Sequence, residues 1–393
     1  MNKKEIKKIF FINFIVTGLI NMNQSLVPTI IKSLEISSFV FGIFLSSASI
    51  GSLIFSPIWG NLSDENGRKN FLIVGLFGYG LSQLTLISNI STEYIVLFRF
   101  VGGGFLSAYL TIIMAYLVDI ISKEKRATFI AYFSAISTVG TSFGIFFGGY
   151  IGEYSIKISF IIQFLLIMLI IIFIKITLDE DENKVIDVAK NNYKYRYKHK
   201  FDINIFKENR TISIILICII MLSIAITNYN SSISYYIENV FKMSPFEIGK
   251  VLSVTGLISL LMNTIVNPFL LKRLNEISIF KISAFLAGTS IILATTTKSI
   301  DIYFIFLFMY LAFSNLNMPL QQSIISKVSN EKLGRTLGVQ SSARSIGMIL
   351  GSLFAGIFFD INNNLPFFMC GALFILVSII LLFINKDDIL INS

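Results

Sequence analysis

A chain of 393 residues that is 54% hydrophobic and 14% charged lies outside the range of water-soluble domains, in which roughly 25% of residues carry charge. A single histidine (His199) and two cysteines (Cys218 and Cys370) leave little material for a His/Cys metal centre. A disulfide framework is disfavoured as well, because both cysteines sit inside apolar runs and read best as small hydrophobes.

Apolar runs of about 20 residues recur from end to end, each long enough to cross a bilayer of ~30 Å. They predict helices over 9–31, 38–60, 71–89, 94–119, 128–150 and 158–175, then over 211–236, 246–270, 280–298, 302–326, 336–359 and 366–384. The chain therefore reads as an all-α polytopic membrane protein with twelve spans. Lys3, Lys4, Lys7 and Lys8 precede the first run as in a signal peptide. That run is too long for a signal core and lacks an A-x-A-like cleavage site, so a retained first helix is expected.

Lysine and arginine set the orientation. With the N-terminus inside, 25 of the 32 basic residues fall on cytoplasmic segments and four (Lys32, Lys157, Lys242 and Lys298) on external loops. This positive-inside bias puts both termini in the cytoplasm of a cell whose inner, plasma membrane the chain crosses many times. It also accounts for the net charge of +9 by topology rather than by a nucleic-acid partner. The one long polar stretch, 179–210, alternates Tyr193, Tyr195 and Tyr197 with Lys194, Arg196 and Lys198. Beside a membrane that composition suits lipid headgroups, and the stretch is expected to link a six-helix bundle at 1–178 to another at 211–393.

The two halves repeat at a displacement of 207. Gly42 maps to Gly249, Ser122 to Ser329, Glu124 to Glu331 and Lys125 to Lys332. Gly140, Gly144, Gly148 and Gly149 map to Gly347, Gly351, Ala355 and Gly356, and Asn21, Asn23 and Ser25 map to Asn228, Asn230 and Ser232. Two parallel repeats imply two bundles that rock about a midplane cavity. Spans six and twelve are apolar almost all round, as lipid-facing helices are, whereas spans one, seven and ten carry amides. An unpaired amide in hydrocarbon costs several kcal/mol, so Asn21, Gln24, Asn228, Ser231, Asn315 and Gln321 are candidates to line that cavity. The same groups would equally serve to tie helices together. Arg344, nine residues into span eleven, lies about 13 Å deep and joins the cavity candidates.

Between spans two and three stands Gly60-Asn61-Leu62-Ser63-Asp64-Glu65-Asn66-Gly67-Arg68-Lys69. It resembles the G-x-L-x-D-x-x-G-R-K motif of the major facilitator superfamily, and the resemblance extends over essentially the whole chain. It implies a role for Gly60, Asp64, Gly67, Arg68, Lys69 and Asp119 as a lock that holds the outward-open state and releases it. The equivalent turn in the second half, Pro268 to Arg273, is basic but has no aspartate. Arg99 opens Arg99-Phe100-Val101-Gly102-Gly103-Gly104, similar to the family's R-x-x-Q-G with glycine at the glutamine place. By resemblance Arg99 serves proton coupling; its depth of about 9 Å also fits snorkelling to external headgroups. Gly140, Gly144, Gly148 and Gly149 are similar to the antiporter motif of span five, with Ile145 where proline is expected. These glycines give a smooth face for helix packing whatever the direction of transport.

No acid falls in the middle of any span, which points to a neutral or anionic organic substrate. The resemblance implies a monomer driven by an ion gradient, taken as H+, with no other cofactor, closest in type to drug:proton antiporters. An uptake symporter or facilitator is the alternative, favoured by the missing proline and missing core acids. An enzyme is disfavoured, since no P-loop occurs and a lone histidine makes no triad.

Overall fold

A computed structural model describes residues 3–33, 38–88, 90–121, 126–178, 210–297, 299–328 and 333–384. The polar segment 179–210 lies outside them save for Arg210, as do the repeat matches at 122–125 and 329–332. The first half runs α1 (Lys3–Asn21), α2 (Val27–Ser33), α3 (Ser38–Asn66), α4 (Arg68–Leu84), α5 (Thr92–Ile120), α6 (Arg126–Tyr154) and α7 (Ile156–Thr177). The second half runs α8 (Arg210–Phe241), α9 (Pro245–Leu261), α10 (Asn267–Leu271), α11 (Glu276–Thr296), α12 (Ile300–Val328), α13 (Leu333–Ile361) and α14 (Leu365–Ile380). Among the described residues, twelve helical stretches are long and apolar enough to cross a membrane, α1 joining α2 and α9 joining α10. Their limits follow the apolar runs closely; the last is Leu365–Phe383 against the expected 366–384. The chain is a multi-pass membrane protein. The repeat is visible in the helix limits too, since α3 and α9 begin at 38 and 245, and α6 and α13 at 126 and 333.

By contacts the described residues form two compact units. One is drawn from Met1–Ser37, Ile43–Tyr197 and Ile237–Leu257, the other from Ser38–Gly42, Lys198–Tyr236 and Ile258–Ser393. The core of the first is the inner face of α1. Ile9, Ile12, Val16 and Leu19 pack on Leu72 and Leu76 of α4, Tyr109 and Ile112 of α5, and Ile167 and Ile174 of α7. The opposite faces of the outer helices are apolar and exposed: Leu165, Leu169, Ile172 and Ile176 on α7, and Leu376 and Ile379 on α14. Apolar surface on that scale is a liability in water and the expected boundary with lipid tails.

Glycine decides the closest helix pairs. A methyl group added at Gly144 would overlap the carbonyl oxygen of Gly18, and one at Gly148 that of Met22, so α6 lies backbone to backbone on α1. The second unit repeats the device: a methyl at Gly347 would lie 2.7 Å from the carbonyl oxygen of Ile220, and one at Gly351 2.5 Å from that of Ile224. With no hydrophobic drive between helices in lipid, such small-residue contacts supply the packing.

Two spans are interrupted. The first breaks at Met22–Asn23, then continues through a 3-10 turn at Gln24–Leu26 into α2. The eighth contains a π-turn at Met262–Val266 just before Asn267-Pro268. Proline removes one backbone donor, and the widened turn absorbs the fault. There Thr264 and Asn263 donate back to the carbonyls of Leu260 (2.7 Å) and Ser259 (3.0 Å).

Candidate functional site

The turn between α3 and α4 is a single residue, Gly67, at φ 91°, a backbone that favours glycine. It brings Arg68, the first residue of α4, back over the last turn of α3. The guanidinium reaches Asp64 at 2.5 Å and donates to Ser63 Oγ at 3.0 Å, while its Nε lies 3.1 Å from Asp119 Oδ2 at the end of α5. Arg68 thus ties the ends of α3, α4 and α5. Both acids are half exposed, at 59% and 50% against 18% for the arginine. Water therefore screens each pair to about 1 kcal/mol or less, and the tie can exchange. Lys69 is half-buried beside it. Gly60 has room for a methyl group, 3.8 Å from Thr111. The corresponding place in the second half is built differently. Asn275 caps α11 through the Ser278 amide (2.8 Å), and Glu276 accepts from Ser323 of α12 (2.6 Å).

Arg99 lies two turns into α5. Its guanidinium carbon stands 4.2 Å over the Phe44 ring and its Nε donates to the Phe44 carbonyl oxygen at 3.1 Å. Among the described residues no carboxylate pairs with it. The glycines that follow fit α5 to its neighbours: a methyl group at Gly102 would overlap Ser82 of α4, and one at Gly103 would overlap Ala48 of α3. Glycine in place of the motif's glutamine thus serves a close approach of α4.

The amides divide by environment. Asn21 is half-buried and donates to Thr17 O (2.9 Å) and to Thr141 Oγ1 of α6 (3.3 Å). Gln24 is half-buried in the turn between α1 and α2. Asn228 is buried and donates to the carbonyl of Pro366 on α14 at 2.8 Å, which ties helices together. Ser231 and Arg344 are half-buried, and Gln321 is buried. Asn315 bonds its own helix at Leu311 O, 2.7 Å. Among the described residues, no group of three or more His, Cys, Asp or Glu side chains is placed to hold a metal.

A further polar cluster went unread in the sequence because it contains one amide of an otherwise apolar helix. Gln163 of α7 is fully buried; it accepts from Asn23 Nδ2 at 2.8 Å and donates to Leu19 O at 2.6 Å. Ser159 donates to Asn23 Oδ1 at 2.6 Å, and Tyr79 to Ile20 O at 2.9 Å. Gln83 in turn donates to the Tyr79 hydroxyl. Side chains of α4 and α7 thus satisfy carbonyls freed where α1 ends. Gln163→Leu leaves the Asn23 Nδ2 group without its acceptor and the Leu19 carbonyl with only the Met22 amide at 3.3 Å, in a dry interior. A loss of about 2 kcal/mol is expected, to be read as a lower midpoint of thermal unfolding in detergent; an unchanged midpoint would show the cluster to be dispensable.

Comparison with known proteins agrees with this architecture. The Major Facilitator Superfamily model matches residues 9–331 and 215–389. Multidrug resistance protein 2 of Bacillus subtilis (strain 168) is 23% identical over 373 residues, covering 93% of this chain and 90% of that protein. Quinolone resistance protein NorA of Staphylococcus aureus (strain COL) is 22% identical over 387 residues, covering 98% and 97%. Among solved structures, a D-xylose-proton symporter superposes with a TM-score of 0.77 at 16% identity, covering 98% of this chain and 97% of that one. Members of this family are transporters, not enzymes, that move small molecules by alternating access. On its fold, its turn at 60–69 and this full-length match, the chain belongs to the Major Facilitator Superfamily.

Proposed function

We propose that the chain exports a neutral or anionic small organic molecule, a drug or metabolite, in exchange for protons. It works as a monomer in the plasma membrane, both termini in the cytoplasm, with no nucleic-acid partner. Bundles 1–178 and 211–393, joined by the linker 179–210, would expose a central site to one side at a time. Asp64, Arg68 and Asp119, with Gly60, Gly67 and Lys69 in the same turn, form the cytoplasmic lock, and Arg99 couples the cycle to the proton gradient. Asn21, Gln24, Asn228, Ser231, Asn315, Gln321 and Arg344 are the candidate contacts of the substrate. The observation that carries the export reading is similarity over 93% of the chain to a protein named for multidrug resistance, joined to the Arg68 tie.

The preference for neutral or anionic cargo rests on the absence of any mid-span acid together with Arg344. A counterflow screen of organic anions, neutral solutes and cations in proteoliposomes tests it. Arg344→Ala is expected to weaken counterflow of anions about tenfold and of neutral solutes little, one lost charge-assisted contact being worth about 1.5–3 kcal/mol. Equal transport of every solute by the variant would remove Arg344 from the site. Uptake by symport remains the second reading, favoured by Ile145 in place of proline and by the missing acids.

A further inference from the structure

The face of α4 turned away from the core of the first unit carries an open groove shared with α5. Its walls are Val74, Phe77 and Leu81 of α4 and Phe98, Val101 and Phe105 of α5, and it encloses about 390 Å³. Val74, Phe77, Leu81 and Phe98 are exposed, so the groove opens on apolar surface of the kind that meets lipid tails. Gly78 also lines it. A methyl group there would overlap the Phe105 ring, so the glycine gives that ring its place against α4. Trp59 of α3, the one tryptophan of the chain, packs on the same ring at 5.8 Å between centroids.

The second half is built otherwise at this place. There α4 and α11 begin at 68 and 276, and α5 and α12 at 92 and 300, so spans three and four repeat at a displacement of 208. Val74 and Phe77 then match Ile282 and Phe285, which are also exposed, but Gly78 matches Leu286.

Shape, chemistry and depth identify the occupant. The groove runs from Ile73 to Ser82, about 14 Å along α4, and 390 Å³ over that length is a cross-section of about 30 Å². A helix, about 10–12 Å across, would rest on the rim, whereas one extended hydrocarbon chain fits. The only hydroxyl in the lining, that of Ser82, already donates to the Tyr79 carbonyl at 2.7 Å. No side-chain donor is left to orient the polar groups of an organic solute. Phe98 and Phe105 lie about 9 and 20 Å along α5 from Thr92, in the middle of a hydrocarbon layer of about 30 Å. Phospholipids reach that depth only with the ends of their chains.

We propose that the α4–α5 groove binds one acyl chain of a membrane phospholipid, which enters from the side of the α4–α5 link and lays its terminal part between Phe77 and Phe98. Chains too short to reach the bilayer centre do not fill it. The bound chain lies along the stretch of α5 that carries Arg99, between Phe98 and Val101, and braces that helix against α4. Neither the cargo nor the direction of transport enters this assignment.

Trp59 is a native reporter, since bromine atoms on a lipid chain quench indole fluorescence at short range. The full chain is purified in detergent micelles, where bulk lipid is dilute, and titrated with phosphatidylglycerol brominated near the ends of its stearoyl chains. Saturable quenching is expected. Binding should be about threefold weaker in Val101→Phe, which narrows the groove, and in Gly78→Leu, which copies the second half and displaces the Phe105 ring. Unbrominated stearoyl phosphatidylglycerol should displace the probe about tenfold better than the lauroyl lipid, a comparison that needs no variant. Quenching that rises without saturation, is unchanged in both variants, or ignores chain length overturns the proposal. Quenching by dibromobenzene but not by the lipid would give the groove to a compact apolar solute, and a parental dimer that both variants lose would give it to a second copy; either result also overturns it.

Discussion

Gly148→Val is expected to prevent assembly of the first half. A single methyl group there would already overlap the carbonyl oxygen of Met22, and that atom is backbone, so no rotamer change relieves the clash. Met22 stands where the first span breaks. Pushing α6 away therefore also draws Asn23 from Gln163 and Ser159, to which it is bonded at 2.8 and 2.6 Å. Overpacking alone costs about 1–3 kcal/mol, and the broken cluster adds about 2 kcal/mol. Together they amount to a large part of the stability of an ordinary domain, about 5–15 kcal/mol. The measurement is recovery of monodisperse protein from membranes, with Gly60→Ala as the control because Gly60 has free space about it. Recovery of Gly148→Val at the control level would show that α6 and α1 do not pack as described.

Arg68→Ala is expected to slow turnover by about 10- to 100-fold while substrate binding changes less than about twofold. The substitution removes both ion pairs and the bond to Ser63. With screening, these sum to about 1–3 kcal/mol of bias between two conformations. Asp64→Asn removes one of the pairs and should produce a smaller effect of the same kind. Steady-state transport set against equilibrium binding separates the two quantities. A defect confined to affinity would place Arg68 in the binding site and not in the lock.

The fold was legible because lipid imposes a simple rule: apolar runs of sufficient length must be helices, since their backbone polar groups have no other partners. The meeting of Arg68 with Asp64 and Asp119 was legible from a motif whose glycine fits a one-residue turn. Other features depend on tertiary contacts that carry little local signal. Gln163 is one polar residue in the apolar run of α7, and its burial becomes clear only when Asn23 and the Leu19 carbonyl are placed beside it. The break after Asn21 has no glycine or proline at the break itself; side chains of α4 and α7 support it from outside. Gly149 stands next to Gly148 in sequence yet faces α9 rather than α1, so the four glycines do not form a single stripe. The π-turn of the eighth span, at Met262–Val266 just before Asn267-Pro268, was likewise not read from the apolar run over 246–270.

Solute movement driven by an imposed pH gradient tests the proposed exchange most directly. Purified protein is reconstituted in one orientation, and a neutral or anionic organic solute identified by counterflow is followed after the gradient is applied. Proton exchange predicts that the solute accumulates in vesicles whose interior is more acidic than the bath and leaves them when the gradient is reversed. Accumulation driven by the opposite gradient, or transport indifferent to either, would contradict it.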